Sequence, residues 1–120
     1  MESSKTNGAV FEVTDASFAD AVERSPLPVL VDFTAEWCAP CRVLEPVLEG
    51  LARDRAGTLR VARLDVDVNP ATAERFGVRS MPTLLLFRGG RVVQQVVGAM
   101  SRARLEKLLG AAGEVGAGAR

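Results

Sequence analysis

No other segment restricts the possible folds as much as residues 29–33, which read Val-Leu-Val-Asp-Phe with Asp32 as their single polar residue. A strand with one face in water alternates apolar and polar side chains. A nearly continuous apolar segment of this length is typical of a strand covered on both faces. We therefore expect a central strand in a sheet that carries helices on both sides.

Strand and helix patterns alternate along the rest of the chain. The predicted strands are 9–13, 29–33, 59–66, 83–87 and 91–97, and the predicted helices are 15–23, 39–55, 69–76 and 102–109. Strands joined through helices are expected to run parallel, and Gly89-Gly90 predicts an antiparallel hairpin. The predicted fold class is α/β, with a mixed five-stranded sheet between layers of helices.

Capping and breaking residues support these helices. Thr14 or Asp15 can cap the first helix, and Ser101 can cap the last. Pro46 lies inside the second helix and is expected to bend it.

The length of 120 residues suits one domain. Residues 1–8 are predicted to be a flexible N-terminal segment, residues 9–109 the folded domain, and residues 110–120 a flexible Gly/Ala-rich tail. The first residues lack the basic and apolar regions of a secretory signal, and no stretch approaches the roughly 18 apolar residues of a membrane span. We therefore expect a cytoplasmic protein with no membrane contact.

The residue counts exclude several kinds of chemistry. Fifteen basic and 15 acidic residues cancel, which removes the electrostatic basis for binding nucleic acid or an anionic membrane. Because the chain has no histidine, it can hold no Ser-His-Asp triad, no Cys-His pair and no histidine metal site. Its two cysteines, Cys38 and Cys41, become the leading candidates for chemistry.

The cysteines lie three residues apart, where a strand pattern gives way to a helix. On the first turn of a helix these positions share a face, so the two sulfurs can bond. Cys38 falls at the helix N-terminus, where unpaired N–H groups and the helix dipole stabilise a thiolate. Cys41 lies one turn deeper and is expected to be more buried. This asymmetry favours thiol–disulfide exchange, in which Cys38 attacks and Cys41 resolves the mixed disulfide.

Other interpretations of the pair stay open at this point. A structural zinc site needs four Cys or His ligands, and the chain offers two. A disulfide that closes so small a loop would add only about 2 kcal/mol of stability. Two cysteines without a role are the remaining alternative. The strand–turn–helix context favours the redox interpretation and no bound metal.

Three segments in this order resemble the thioredoxin family. They are Val-Asp-Phe-Thr-Ala-Glu-Trp-Cys-Ala-Pro-Cys-Arg (31–42), Asp-Val-Asp-Val-Asn-Pro (65–70) and Gly-Val-Arg-Ser-Met-Pro-Thr-Leu-Leu-Leu-Phe (77–87). The resemblance covers about residues 9–109 and implies a three-layer sandwich with four helices. It also implies a protein disulfide reductase with a redox-active Cys38–Cys41 disulfide, which an NADPH-linked thioredoxin reductase recycles. We expect the protein to be a monomer. The chain has no flavin or nucleotide motif, so no cofactor is expected.

Asp32 is unusual because a carboxylate on a doubly covered strand is costly to ionise, so burial is expected to raise its pKa. The resemblance makes Asp32 the proton acceptor for Cys41. Alternatively, Asp32 faces a wet cavity or pairs with a cation. Arg63 stands where the family usually has a lysine, and it is either a partner of Asp32 that lowers its pKa or a solvated arginine at a strand end.

The resemblance implies a substrate-binding surface around the cysteines. Its members are Trp37, Ala39, Pro40, Met81, Pro82 in a cis peptide bond, and Gly98. Trp37 is expected to be a partly exposed platform beside an exposed Cys38, the alternative being a core position. The Met81 backbone would pair with an extended substrate, and Gly98 would allow its close approach. The alternative for Pro82 is an ordinary trans peptide bond at the start of a strand, and the alternative for Gly98 is a glycine that only ends a strand.

Some residues depart from the family pattern. Thr34 replaces a frequent aromatic, Ala39 a glycine and Met81 an isoleucine. They leave the predicted fold unchanged and bear on redox potential and substrate range. Two alternative functions remain: a disulfide oxidase or isomerase of the same fold, and a non-catalytic binding or chaperone-like subunit.

Overall fold

A five-stranded mixed sheet organises the molecule, and the computed structural model describes it within residues 9–118. The strands are β1 (Val10–Glu12), β2 (Val29–Thr34), β3 (Arg60–Asp65), β4 (Thr83–Arg88) and β5 (Arg91–Val97), in the spatial order β1-β3-β2-β4-β5. All six residues of the central strand β2 are buried, which confirms the prediction of a doubly covered strand.

Helices cover both faces of this sheet, as predicted. They are α1 (Ala19–Glu23), a π-helical turn, α2 (Ala39–Asp54), α3 (Pro70–Arg75) and α4 (Arg102–Gly118). One core lies between the sheet and α2 and α4, and it includes Leu44, Leu48 and Leu105. The other lies on the opposite face, where Phe18 and Val22 pack beside α3. The fold class is therefore a three-layer α/β sandwich.

The direction of β4 differs from the prediction. Strands β1, β3 and β2 run parallel, but β4 follows α3 and still runs antiparallel to β2. With six residues, α3 spans about 9 Å, roughly half the length of a six-residue strand. Because α3 is too short to carry the chain back along the sheet, β4 starts at the end where β3 stops. The antiparallel β4–β5 hairpin is confirmed, with φ of +62° at Gly89 and +82° at Gly90.

The first helix is shorter than predicted. Thr14 and Ser17 bond reciprocally, with each backbone N–H donating to the other's hydroxyl oxygen at 2.9 and 3.0 Å, and a turn follows instead of a helix. Asp15 does not cap α1. Its carboxylate accepts hydrogen bonds from the backbone N–H groups of Ala71 and Thr72, at 3.1 and 2.8 Å, in the first turn of α3.

The last helix is longer than predicted. Ser101 does cap α4, since its Oγ accepts from the N–H of Arg104 at 3.2 Å, but α4 continues past Leu109 to Gly118. Once a helix has nucleated, each further residue adds at little cost, and glycine weakens a helix without ending it. The predicted flexible segment 1–8 and the last two residues of the predicted tail lie outside the described residues. Helix α2 continues through Pro46 as one helix, and the bend there stays a prediction.

Candidate active site

The two cysteines form a disulfide at the beginning of α2, which directly follows the central strand. Cys38 is the N-cap residue, and its Sγ accepts a hydrogen bond from the backbone N–H of Cys41 at 3.2 Å. This N–H group and the helix N-terminus both favour negative charge on Sγ of Cys38 when the disulfide is reduced.

The expectation of an exposed Cys38 is wrong. Only 3% of Cys38 and 1% of Cys41 is accessible to solvent. Cys38 packs in a small cluster with Ala35, Val66 and Met81, because the loops after β2 and β3 and the segment before β4 close over the disulfide. A substrate disulfide therefore reaches the sulfur only where these covering residues allow it.

The segment before β4 contributes backbone next to the disulfide. The Met81–Pro82 peptide bond is cis, the isomer that the resemblance implies. The carbonyl oxygen of Met81 lies 3.5 Å from Sγ of Cys38. The N–H of Gly98 donates to the carbonyl of Pro82 at 2.8 Å, so the end of β5 holds this segment in place.

Gly98 has a backbone reason to be glycine. Its φ is +96°, in the left-handed region that other residues rarely adopt. A Cβ added there would meet no atom within 4 Å, so the space above Gly98 is open.

Trp37 lies on the surface and not in the core. Its side chain is 65% exposed, and the indole Nε1–H donates to Oδ2 of Asp67 at 2.9 Å. Ala39 and Pro40 next to it are also exposed. An aromatic ring is thus held in the open beside the small residues between the two cysteines.

Asp32 is completely buried in β2, and burial raises its pKa to about 7. The positive charge of Arg63 opposes this shift, while the negative charges of Glu45 and Glu12 add to it. Neither carboxylate oxygen has a hydrogen-bond partner. A carboxyl with a pKa near neutrality can accept and release a proton at physiological pH. Asp32 therefore does not form the direct ion pair with a cation that was the alternative interpretation.

Arg63 forms no ion pair with Asp32, but its positive charge does lower the pKa of that carboxyl, as the first interpretation expects. The interpretation of a solvated arginine is wrong, because the Arg63 side chain is only 21% exposed and lies between two glutamates. Its Nη1 donates to Oε2 of Glu12 at 3.4 Å, and its Nη2 lies 3.8 Å from Oε2 of Glu49. Arg63, Glu12 and Glu45 also line a cavity of about 490 Å³ at this end of the sheet. Arg63 therefore acts on Asp32 across a distance, through its charge.

Sequence reasoning missed the residues around these groups. Glu45 and Glu49 are four residues apart on α2, and this spacing could have marked one acidic helix face. Asp67 lies inside a segment that carries the family resemblance but was assigned no role. No sequence pattern indicated a role for Glu12, because its contact with Arg63 arises only when β1 and β3 lie side by side in the sheet.

Residues 9–118 were also compared with the requirements of a metal site and of a membrane-spanning helix. The described residues contain no group of His, Cys, Asp and Glu side chains that could hold a metal ion. In the same part of the chain, no helix combines the length and apolar character needed to cross a membrane.

An α/β sandwich with a disulfide between cysteines three residues apart at a helix N-terminus is the arrangement of a thiol–disulfide oxidoreductase. Comparison with known proteins agrees. The family model described as Thioredoxin matches residues 9–111. A thioredoxin of Mycobacterium tuberculosis is 56% identical over 97 residues, which cover 81% of this chain and 84% of that protein. A thioredoxin of Synechocystis is 47% identical over 98 residues, 82% of this chain and 92% of that protein.

A third relative joins two activities in one chain. The bifunctional thioredoxin reductase/thioredoxin of Mycobacterium leprae is 50% identical over 105 residues, 88% of this chain and 23% of that protein. The chain belongs to the thioredoxin family, and it is a protein disulfide reductase.

Proposed function

We propose that Cys38 is the attacking nucleophile, Cys41 the resolving cysteine and Asp32 the proton acceptor of this disulfide reductase. The observation that carries the proposal is the position of Cys38 as N-cap of α2, with the N–H of Cys41 directed at its sulfur. Substrate protein disulfides are reduced and the Cys38–Cys41 pair is oxidised.

The exchange proceeds in two steps. The Cys38 thiolate attacks one sulfur of the substrate disulfide, a mixed disulfide forms, and the other substrate sulfur leaves as a thiolate that takes a proton from solvent. The Cys41 thiol then gives its proton to Asp32 and attacks Sγ of Cys38. The mixed disulfide breaks, the second substrate thiolate leaves, and the Cys38–Cys41 disulfide forms.

The surface around the disulfide suits an extended polypeptide. Trp37, Ala39 and Pro40 are exposed, the carbonyl of Met81 lies 3.5 Å from Sγ of Cys38, and the space above Gly98 is open. We assign substrate binding to these residues together with Pro82, which follows Met81 in a cis peptide bond. An extended substrate segment would bind along the Met81 backbone as an added strand does.

The partner that regenerates the dithiol is a thioredoxin reductase that draws electrons from NADPH. Support comes from the Mycobacterium leprae relative, in which a region similar to this chain is joined to a thioredoxin reductase. We further propose that the chain works as a monomer in the cytoplasm, where a reducing environment supports turnover.

Single cysteine variants test these roles. Reduction of a model protein disulfide is followed with NADPH and thioredoxin reductase for the native chain, Cys38→Ser and Cys41→Ser. Cys38→Ser should lose all turnover, and Cys41→Ser should accumulate mixed disulfides that mass spectrometry detects. Turnover by Cys38→Ser would overturn the assignment and favour a binding subunit, and faster oxidation than reduction by the native chain would favour an oxidase.

A further inference from the structure

A row of charged residues crosses three parallel strands at the active-site end of the sheet. In the strand register, Glu12 of β1 is the partner of Arg63 of β3, and Arg63 is the partner of Asp32 of β2. Partners in adjacent strands point to the same face, so all three side chains point toward the α2 side. Glu49 belongs to α2, which packs on this face of the sheet, and it lies within ion-pair distance of Arg63.

Adjacency alone would pair Arg63 with Asp32, since neighbouring strands are only about 4.8 Å apart. The structure shows a different arrangement. Both oxygens of Asp32 are buried without a hydrogen-bond partner, and the guanidinium bonds to Glu12 at 3.4 Å and lies 3.8 Å from Glu49. Nε of Arg63 and Oε1 of Glu49 are likewise buried without partners. The guanidinium therefore has unused hydrogen-bonding capacity and a competing carboxylate beside it.

We propose that Glu12 and Glu49 are positioning residues that hold the Arg63 guanidinium away from the Asp32 carboxylate. This inference rests on the proposed function, in which Asp32 accepts the proton of Cys41. A direct contact with a guanidinium lowers a carboxyl pKa by about one to three units, which would leave Asp32 too weak a base to accept that proton near neutral pH. By engaging Arg63, the two glutamates preserve the basicity of Asp32.

Several charges face Asp32 and must be separated in a test. They are Arg63 from β3, Glu12 from β1 and Glu45 from α2, while β4 places the apolar Leu84 beside Asp32. Glu45 acts on Asp32 through its charge and forms no ion pair with Arg63 in the described structure. It is therefore a matched control for Glu49, one helical turn away on the same helix.

The experiment is a titration of the Asp32 side-chain carboxyl carbon by NMR in the oxidised protein. Glu49→Gln should release Arg63 toward Asp32 and lower the titration midpoint by about one pH unit or more. Glu45→Gln should lower the midpoint through loss of its charge alone. In an Arg63→Gln background the effect of Glu49→Gln should vanish, whereas the effect of Glu45→Gln should persist.

Two results would overturn the inference. One is an unchanged midpoint in Glu49→Gln, and the other is an equal shift with and without Arg63. Glu12→Gln provides a second variant, because Glu12 is largely exposed and its loss leaves the core intact. The shift that Glu12→Gln causes in the Asp32 midpoint should be smaller in the Arg63→Gln background. There, only the loss of the Glu12 charge acts on Asp32, and no guanidinium can move toward it.

Kinetics separate this inference from the proposed function. The rate at which the mixed disulfide resolves is measured against pH for the native chain and Glu49→Gln. If the Asp32 midpoint moves and the rate profile follows, both ideas hold. If the midpoint moves and the rate profile does not, Glu49 still positions Arg63, but Asp32 is not the proton acceptor.

Discussion

The indole Nε1–H of Trp37 donates a 2.9 Å hydrogen bond to Oδ2 of Asp67. Asp67 belongs to the turn after β3, where its own N–H donates to Oδ1 of Asp65 at 2.9 Å. An aromatic ring beside the disulfide is therefore held by a turn thirty residues further along the chain. A fixed, exposed ring loses little further conformational entropy when a substrate packs against it.

Asp67→Ala should weaken substrate binding and leave the chemistry intact. Without the hydrogen bond, which contributes about 1 kcal/mol, the ring can rotate and KM for a protein disulfide should rise by about fivefold at unchanged kcat. Because Trp37 is the only tryptophan, its fluorescence anisotropy reports ring mobility directly. Glu36→Ala is the control, since Glu36 is exposed beside the ring and its backbone carbonyl, which alanine keeps, accepts a hydrogen bond from Arg42. A rigid ring in Asp67→Ala would refute the restraint.

The buried Asp32 should make stability depend on pH. Its pKa is about 7 in the folded chain against 3.8 for a free carboxyl, so its stabilising contribution is complete below pH 3.8 and is lost as pH rises to 7. A difference of about three pKa units corresponds to about 4 kcal/mol. Asp32→Asn should therefore be more stable than the native chain above pH 7 and similar to it near pH 4.

Urea unfolding at a series of pH values measures this dependence. The difference between Asp32→Asn and the native chain isolates the titration of Asp32, because all other ionisable groups are shared. A difference that stays constant from pH 4 to 9 would contradict a raised Asp32 pKa.

The β4–β5 hairpin offers a comparison between two adjacent glycines. Both have positive φ, but a Cβ on Gly90 would lie 3.0 Å from the carbonyl oxygen of Glu23, whereas one on Gly89 would meet no atom within 4 Å. Gly89→Ala should cost only the left-handed backbone conformation, about 1 kcal/mol. Gly90→Ala should cost clearly more, because the added Cβ would lie against the backbone carbonyl oxygen of Glu23, which cannot rotate away as a side chain can. Equal losses in chemical denaturation would mean that the chain near Glu23 moves freely.

Asp15 should stabilise α3 from outside that helix. Hydrogen bonding from Thr72 outweighs burial and holds the pKa of Asp15 below its ordinary value. Asp15→Ala should lower the melting temperature by several degrees at neutral pH, and this difference should disappear as pH falls below 3.8, where the native Asp15 becomes protonated. Asp20→Ala is the control, because the Asp20–Arg24 pair is exposed and contributes little.

Local patterns were enough to predict most of the fold. The apolar segment 29–33, the glycine pair and the strand–helix alternation gave the element order, the central strand and the hairpin. The direction of β4 was mispredicted, because a rule for helices that cross a sheet was applied to α3, which is too short to cross one. The extent of α4 was mispredicted because the Gly/Ala-rich composition of residues 110–120 is typical of a flexible tail, whereas α4 continues to Gly118.

For the active site, residue type and spacing identified Cys38, Cys41 and Asp32 as candidates, and the resemblance to the thioredoxin family added the Met81–Pro82 segment. The same signals could not show that Cys38 is covered, since its cover comes from residues after β3 and before β4. They also could not show which carboxylates Arg63 meets. Glu12 lies 51 residues before Arg63, and only the order of the strands makes them neighbours.

Features that the sequence determines and features that only the tertiary structure determines differ in the sequence distance between the residues that interact. Backbone conformation and a local cap such as Ser101 on α4 depend on residues within a few positions of one another, so the local sequence determines them. The contact of Asp15 with the first turn of α3 spans 56 residues and depends on the tertiary structure. The pKa of Asp32, the partners of Arg63 and the restraint on Trp37 depend on burial and on charges that arrive from distant segments. Those properties exist only after the sheet has assembled, because burial and the pairing of distant charges are consequences of packing.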